Sequence, residues 1–480
     1  MGLLLVTATG ICSMMGASIN VIPFMIQKNV PGIGPYVVPA FLFAAIPAIF
    51  AAYAYAILSS AMPRAGGSYL YASRGLSPYL GFIASFSQWF GLSIVIGVIS
   101  YIIVPFIRDV FFNLGFINIS DFLEVGSVRL TISLLLIWFF VLINIVGGKV
   151  YKNTLIPMLV IMFVLGSIVL ITGLVYDQND FINSVLNSEN RVIKPISDIK
   201  FDLKIFLTAA TLMFSSFIGF DAIAQTGNEA KNPTKNIPRA ILLAIFIVAS
   251  YYILFTISVY NIVPWSFVAD ESITKDITAP GLLSYVLPPF WGILIIIGAA
   301  IALINDLPAM ILSVSRLMFA WAKDNIFPNR VALIHSKFNT PYIAIILVGV
   351  VASIGAIGSH FAGDFFLGID IMVTSMMINF LLMCVTLISI QKVNFKLFKN
   401  ITVIKNRAIQ LFIGYTGTLI ILTFLIIHTY KDLSSNVEEW YFHSTYIYLI
   451  VMIIASIYFV LRWKTVKVKN NNTFKTLPVE

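Results

Sequence analysis

Twelve stretches of this 480-residue chain are each long and apolar enough to cross a lipid bilayer, and this property constrains the fold more than any other. A membrane-spanning helix needs about 20 mostly apolar residues. Scanning at that length places spans near 3–27, 36–60, 80–107, 130–148, 154–176, 205–228, 240–263, 291–320, 342–360, 370–391, 407–428 and 444–463. Apolar residues make up 59% of the chain and charged residues only 11%, against about 25% charged in soluble domains. No single core could bury that surplus and leave a wettable surface. The expected fold is therefore all-α and integral to the membrane, with twelve transmembrane helices. The first span begins almost at Met1 with neither a basic n-region nor a small-residue cleavage site, so it is expected to be retained and not removed as a signal peptide.

Lysine and arginine set the orientation, because cytoplasmic loops retain positive charge. An even number of spans puts both termini on one side. Taking that side as cytoplasmic places 21 of the 30 Lys/Arg there, including Arg64, Arg74, Lys231, Arg316 and the run from Lys392 to Arg407. Most acidic residues fall in the opposite loops, so the net charge of +9 is a topology signal and no nucleic-acid partner is expected. The expected location is the cell membrane, multi-pass, with both termini cytoplasmic and the lipid bilayer as the surrounding partner.

Soluble chemistry leaves little trace. Cys12 and Cys384 lie inside apolar runs and read as packing residues. His335, His360, His428 and His443 are scattered without metal-ligand spacing, and Lys149 follows Gly147-Gly148 with no serine or threonine after it. A Walker loop, a hydrolase elbow and an HExxH helix are all missing, so neither an enzyme nor a cofactor is expected. The polar stretch from Asp177 to Lys204 has too few apolar residues for its own core and is expected to be an outer loop.

Two spans contain residues that a lipid-facing helix should avoid. The first carries Gly10, Ser13, Gly16, Ser18, Asn20 and Pro23, and the sixth Ser215, Ser216, Gly219 and Asp221. Bare backbone in hydrocarbon costs several kcal/mol per unsatisfied group, so helix breaks survive only where protein or a water-filled cavity surrounds them. From Leu3 to Gly16 a helix rises about 20 Å, and from Ile205 to Gly219 about 21 Å, which puts both breaks near mid-bilayer. Each lies in the first helix of a five-helix set, and an odd number of spans per set inverts the second relative to the first. This predicts a five-plus-five inverted repeat, 3–176 and 205–391, with discontinuous helices 1 and 6 and a site at the midplane. Residues 1–391 then form the core, and 392–480 add helices 11 and 12 and a basic tail. The alternative is a pair of ordinary Gly/Ser packing faces.

Four ordered motifs carry a family resemblance. Met15-Gly16-Ala17-Ser18-Ile19 resembles the Gly-Ser-Gly-Ile element of the amino acid–polyamine–organocation transporters, and Pro63-Arg64-Ala65-Gly66-Gly67-Ser68-Tyr69 their second-to-third-helix loop. Phe217-Ile218-Gly219-Phe220-Asp221 followed by Glu229-Ala230-Lys231-Asn232-Pro233 is similar to their sixth helix and its exit. Arg316 through Lys323-Asp324-Asn325-Ile326-Phe327-Pro328 resembles the element after their eighth. The resemblance implies ion-coupled or exchange transport of amino acids or amines. Ser18, Asn20 and Asn228 depart from the usual pattern, and no lysine lies within 154–176 to act as a fixed coupling amine.

The expected site follows from the charges of an amino acid. Backbone N–H groups around Ala17, Ser18 and Ile19, at a half-helix N-terminus, suit its carboxylate. Carbonyls at Ser13 and Met14, and across Phe214 to Phe217 with Ser215, suit its ammonium. Gly16 and Gly219 permit close approach, while Phe217 and Phe220 either wall the side-chain pocket or serve as bundle core. Asp221 is expected as an N-cap, as a gating or proton-linked group, or both. Asp306 lies mid-span, where an acid is costly unless protonated, paired or wet. Ala302, Ala309 and Ser313 share its helical face, so it should point into the bundle. The carboxylate alone is expected to carry a coupling proton; with Asn305 and the Ile304 carbonyl freed by Pro308 it would instead hold sodium, and the remaining alternative is a protonated acid that locks two helices together. No lysine or arginine lies near either break, which favours neutral or cationic amino acids. The functional expectation is a secondary active transporter working by alternating access. The alternatives are a sodium symporter or amino acid/amine exchanger, and then a non-transporting receptor or a channel-like pore.

Overall fold

A computed structural model describes residues 1–16, 18–193, 199–274, 277–362, 366–435, 437, 439–469 and 473–478. Among the described residues the chain is helical throughout, with no strand, and twelve helices are long and apolar enough to cross a membrane. All twelve expected spans are present. Several run past their apolar stretch, the third to Asn113 and the eighth to Lys323, because a helix that has closed its backbone hydrogen bonds has no reason to stop at the edge of the hydrocarbon. Pro47, Pro105, Pro157, Pro238 and Pro308 all sit inside continuous helices. The two real interruptions fall at glycines.

The third span, α-helical over Pro78–Asn113, is central and packs against the eighth, ninth and tenth. Span one is enclosed by protein, touching spans five, seven and eight. Lipid-facing surface comes from the outer spans, where Leu135, Phe139, Val164, Leu174, Ile453 and Leu461 are exposed. Those side chains would be a liability in water and are what a bilayer solvates.

The end that holds both termini is cross-linked by ion pairs. A short helix, Gly67–Gly75, buries Arg74, whose guanidinium donates to both carboxylate oxygens of Asp324 at 2.5 and 3.0 Å. The Tyr69 hydroxyl donates to the same carboxylate at 2.6 Å. Burial, the largest single influence, would lower the Arg74 pKa, yet the Asp324 and Tyr69 charges and hydrogen bonds together raise it. Met1 donates through its amino group to the Glu229 carbonyl, and Arg316 pairs with the Glu229 carboxylate at 2.7 Å.

At the opposite end the stretch after Asp177 is not a plain loop. It contains a helix, Gln178–Glu189, started by a capping box between Asp177 and Asp180. Phe181 and Val185 are buried, and Phe181 packs edge-on against Phe267 and Tyr285. Two apolar residues four apart are enough to dock a short helix on a neighbour, though not to build a core of their own.

Candidate functional site

Span one is helical over Leu3–Met14 and again over Ser18–Asn29. Span six is helical over Leu203–Met213, tightens into a 3-10 turn at Phe214–Phe217, runs extended at Ile218, and resumes as one turn at Ala222–Gln225. Gly219 is the pivot. Its φ of 134° lies where a side chain is strained, and a Cβ there would run into the Ser13 carbonyl. The two breaks therefore touch, Gly219 against the end of the first half of span one. On the other side of that break, a Cβ on Gly16 would collide with the Asp306 carboxylate.

Around this junction lies a cavity of about 60 Å³. Its polar lining is brief: Ser13, Gly16, Ser215 and Asp306. Aliphatic side chains supply the rest, Val95, Val98, Ile99 and Ile102 from span three, Ile218 from the break in span six, and Met310 and Met372. Asp306 is buried at 3% exposure. Its Oδ1, like the Ser13 Oγ, has no hydrogen-bond partner among the described residues. Ala302, Ala309 and Ser313 are buried as well, so the face they share with Asp306 does point into the bundle.

Of the residues expected at the site, Met14, Gly16, Ser215 and Asp306 meet in this cavity. Ala17 lies outside the described residues, as does the side chain of Ser18, which begins the second half-helix. Ile19 lines a separate space of about 20 Å³ with Met162, Tyr251 and Ala302. The aromatic pair takes the core alternative. Phe217 packs on Phe41 and Tyr252, and Phe220 stacks on Phe380 with Tyr55 edge-on. The Met14 carbonyl already accepts from the Tyr252 hydroxyl at 2.5 Å. Asn305 donates to the Cys12 sulfur at 3.0 Å, and its Oδ1 has no partner among the described residues.

Asp221 stands at the N-cap position of Ala222–Gln225 but does not cap it with its side chain, which corrects that half of its expected role. It already has helical backbone angles and makes no capping bond. Its Oδ1 instead accepts from the Gly219 N–H at 3.1 Å, and its Oδ2 from the side-chain amide of Gln88. Gln88 in turn accepts from the Ser68 hydroxyl at 2.5 Å and from Gln225 at 3.2 Å. The acid thus shapes the break, and a chain of amides and a hydroxyl links it to the short helix Gly67–Gly75 at the terminal end.

Sequence reasoning missed Gln88 and the wall from span three. The signal was present but weak: Gln88 lies two turns before Val95 on the same helical face, so a lone amide in a mostly apolar span marked the inward side. Met310 was within reach, one helical turn beyond Asp306 on the same face.

The architecture defines a multi-pass membrane protein with two interrupted spans converging on one buried acid. Residues 1–455 match the amino acid permease family, and the chain belongs to it. It is similar to an uncharacterised transporter of Mycobacterium tuberculosis, 34% identical over 31% of this chain and 33% of that protein. It is also similar to the branched-chain amino acid permease BcaP of Bacillus subtilis, 28% identical over 31% of each chain. Cationic amino acid transporter 4 of mouse is 28% identical over 32% of this chain and 23% of its own length. The matched segment thus spans a third or less of these relatives.

Proposed function

We propose that the chain is a secondary active transporter of amino acids that works by alternating access and is coupled to protons through Asp306. The observation that carries this reading is the Asp306 carboxylate, held against Gly16 at the break of span one with one oxygen unpartnered. A carboxyl group in the membrane interior demands a proton or a cation. A proton taken up on one side of the membrane and released on the other satisfies that demand, while the half-helix carbonyls beside Ser13 and Ser215 receive the substrate ammonium. The aliphatic walls favour neutral amino acids with branched or unbranched aliphatic side chains, in line with the name of the Bacillus relative. In this reading residues 3–176 and 205–391 form inverted repeats, 392–480 are peripheral, and both termini are cytoplasmic.

A second reading, transport of cationic amino acids, draws on the absence of lysine and arginine from the cavity lining among the described residues and on the name of the mouse relative. Proteoliposomes separate the two. A pH gradient across the membrane should drive accumulation of leucine well above equilibrium, and excess unlabelled aliphatic amino acids should suppress it. Suppression by lysine and arginine instead would select the second reading, and accumulation that follows a sodium gradient alone would move the coupling to sodium. If no amino acid enters or exchanges, the proposal fails.

A further inference from the structure

At the end opposite the termini, a groove of about 910 Å³ opens on the lipid-facing side of the bundle. Its floor and walls are apolar, formed by Val30, Leu203, Leu207, Ile426 and Ile427. Two lysines close its polar end. Lys204 is in the first turn of span six, and Lys431 in the last turn of the eleventh helix, Arg407–Ser434. Lys204 leans over the Tyr430 ring, 5.5 Å from its centroid.

Neither lysine is in an ion pair among the described residues. The nearby carboxylates are turned to the backbone: Asp202 Oδ1 accepts from the Lys204 and Ile205 N–H groups at 2.7 and 3.0 Å, and Asp432 from those of Ser444 and Thr445 at 3.1 and 2.9 Å. Among the described residues no carboxylate pairs with either lysine. By contrast, Arg108 and Arg191 at this end are both in ion pairs. A strip of hydrocarbon-lined surface with two ammonium groups that no carboxylate pairs among the described residues, where a helix meets the headgroups, complements an acyl chain with an anionic head.

We propose that this groove binds an anionic phospholipid, its phosphate held between Lys204 and Lys431 and one acyl chain lying along Leu207 and Ile427. The groove also takes in Asn29 and Val30, so the lipid rests on the far ends of both interrupted spans and joins them to the eleventh helix. Occupancy would brace the two halves that converge on the buried acid.

The test is native mass spectrometry of the full chain extracted from vesicles of phosphatidylcholine mixed with phosphatidylglycerol. The parent protein should retain phosphatidylglycerol in preference to phosphatidylcholine. The double variant Lys204→Gln/Lys431→Gln should lose that preference by roughly thirtyfold, the combined effect of two lysines near an anionic surface. Lys28→Gln, which removes a charge at the same end outside the groove, should leave it unchanged. An equal loss in Lys28→Gln would mean that general surface charge is responsible and would overturn the site. Undiminished preference in the double variant would overturn it as well.

Discussion

The two interruptions of the bundle look alike in sequence and are built differently. Span six carries its own acid, and Asp221 is spent internally on the Gly219 N–H and the Gln88 amide. Span one has no acid. It has Gly16, whose missing side chain lets Asp306 come in from the eighth helix. One carboxylate therefore holds a backbone in place, while the other reaches the cavity with an oxygen to spare. An acid that completes its own break is committed to shape; an acid delivered from a neighbouring helix remains available for chemistry.

That contrast is most exposed at Asp306. Asp306→Asn keeps the volume and removes the exchangeable proton, so in liposomes it should still exchange substrate while pH-gradient-driven accumulation disappears. Full accumulation by this variant would leave the two acids without the division of labour drawn above.

The glycines should respond next, and differently. Gly219→Ala meets a strained φ, costing about 1–3 kcal/mol, and a backbone carbonyl that cannot swing aside. Its thermal unfolding should shift down by several degrees along with lost binding. Gly16→Ala meets only the tip of a carboxylate. It should unfold close to the parent temperature and yet bind substrate poorly, because the displaced group is the one that serves the cavity. Equal stability losses in the two would argue against the contrast.

How much of this could be read in advance follows from which signals are local. Twelve spans, the positions of both breaks and the inward face of Asp306 were legible, because length, glycine content and helical period act over a few residues. The cavity walls were not. Val95 and Ile99 belong to a helix whose serines lie on several sides, and only Gln88, two turns earlier on their face, distinguishes the side that meets the cavity from the side that meets a neighbour. Phe217 and Phe220 beside a break read equally well as pocket or core, and the choice was made by Phe41, Tyr252 and Phe380, residues far away in sequence. Asp221 misled for the same reason. An acid at a helix start is ordinarily a cap, and only the arrival of Gln88 from span three turned it elsewhere.

Asp221→Asn sharpens the comparison from the other side. The amide can still accept from Gly219, but its new donor group faces the Gln88 amide, and relieving that conflict disturbs the bonds to Ser68 and Gln225. Hydrogen bonds to charged groups are worth about 1.5–3 kcal/mol each, so stability should fall by about 2 kcal/mol, read by thermal unfolding. Driven accumulation should persist at a reduced rate. Its abolition would assign the coupling to the sixth span and reverse the roles of the two acids.

The smallest effect belongs to Tyr252, whose hydroxyl donates to the Met14 carbonyl at the end of the first half of span one. If that carbonyl serves mainly to keep the break in shape, as Asp221 does in span six, then Tyr252→Phe removes one neutral hydrogen bond at about 1 kcal/mol. Phe retains the ring contacts with Phe41 and Phe217. Substrate affinity in the variant should then stay within about threefold of the parent, while the unfolding temperature drops by a few degrees. If Met14 is instead a principal acceptor for the substrate ammonium, freeing it from the tyrosine should tighten binding. Isothermal titration of the purified variant distinguishes the two, and a gain in affinity would mean that the break of span one contributes chemistry from its own backbone as well as from the acid it admits.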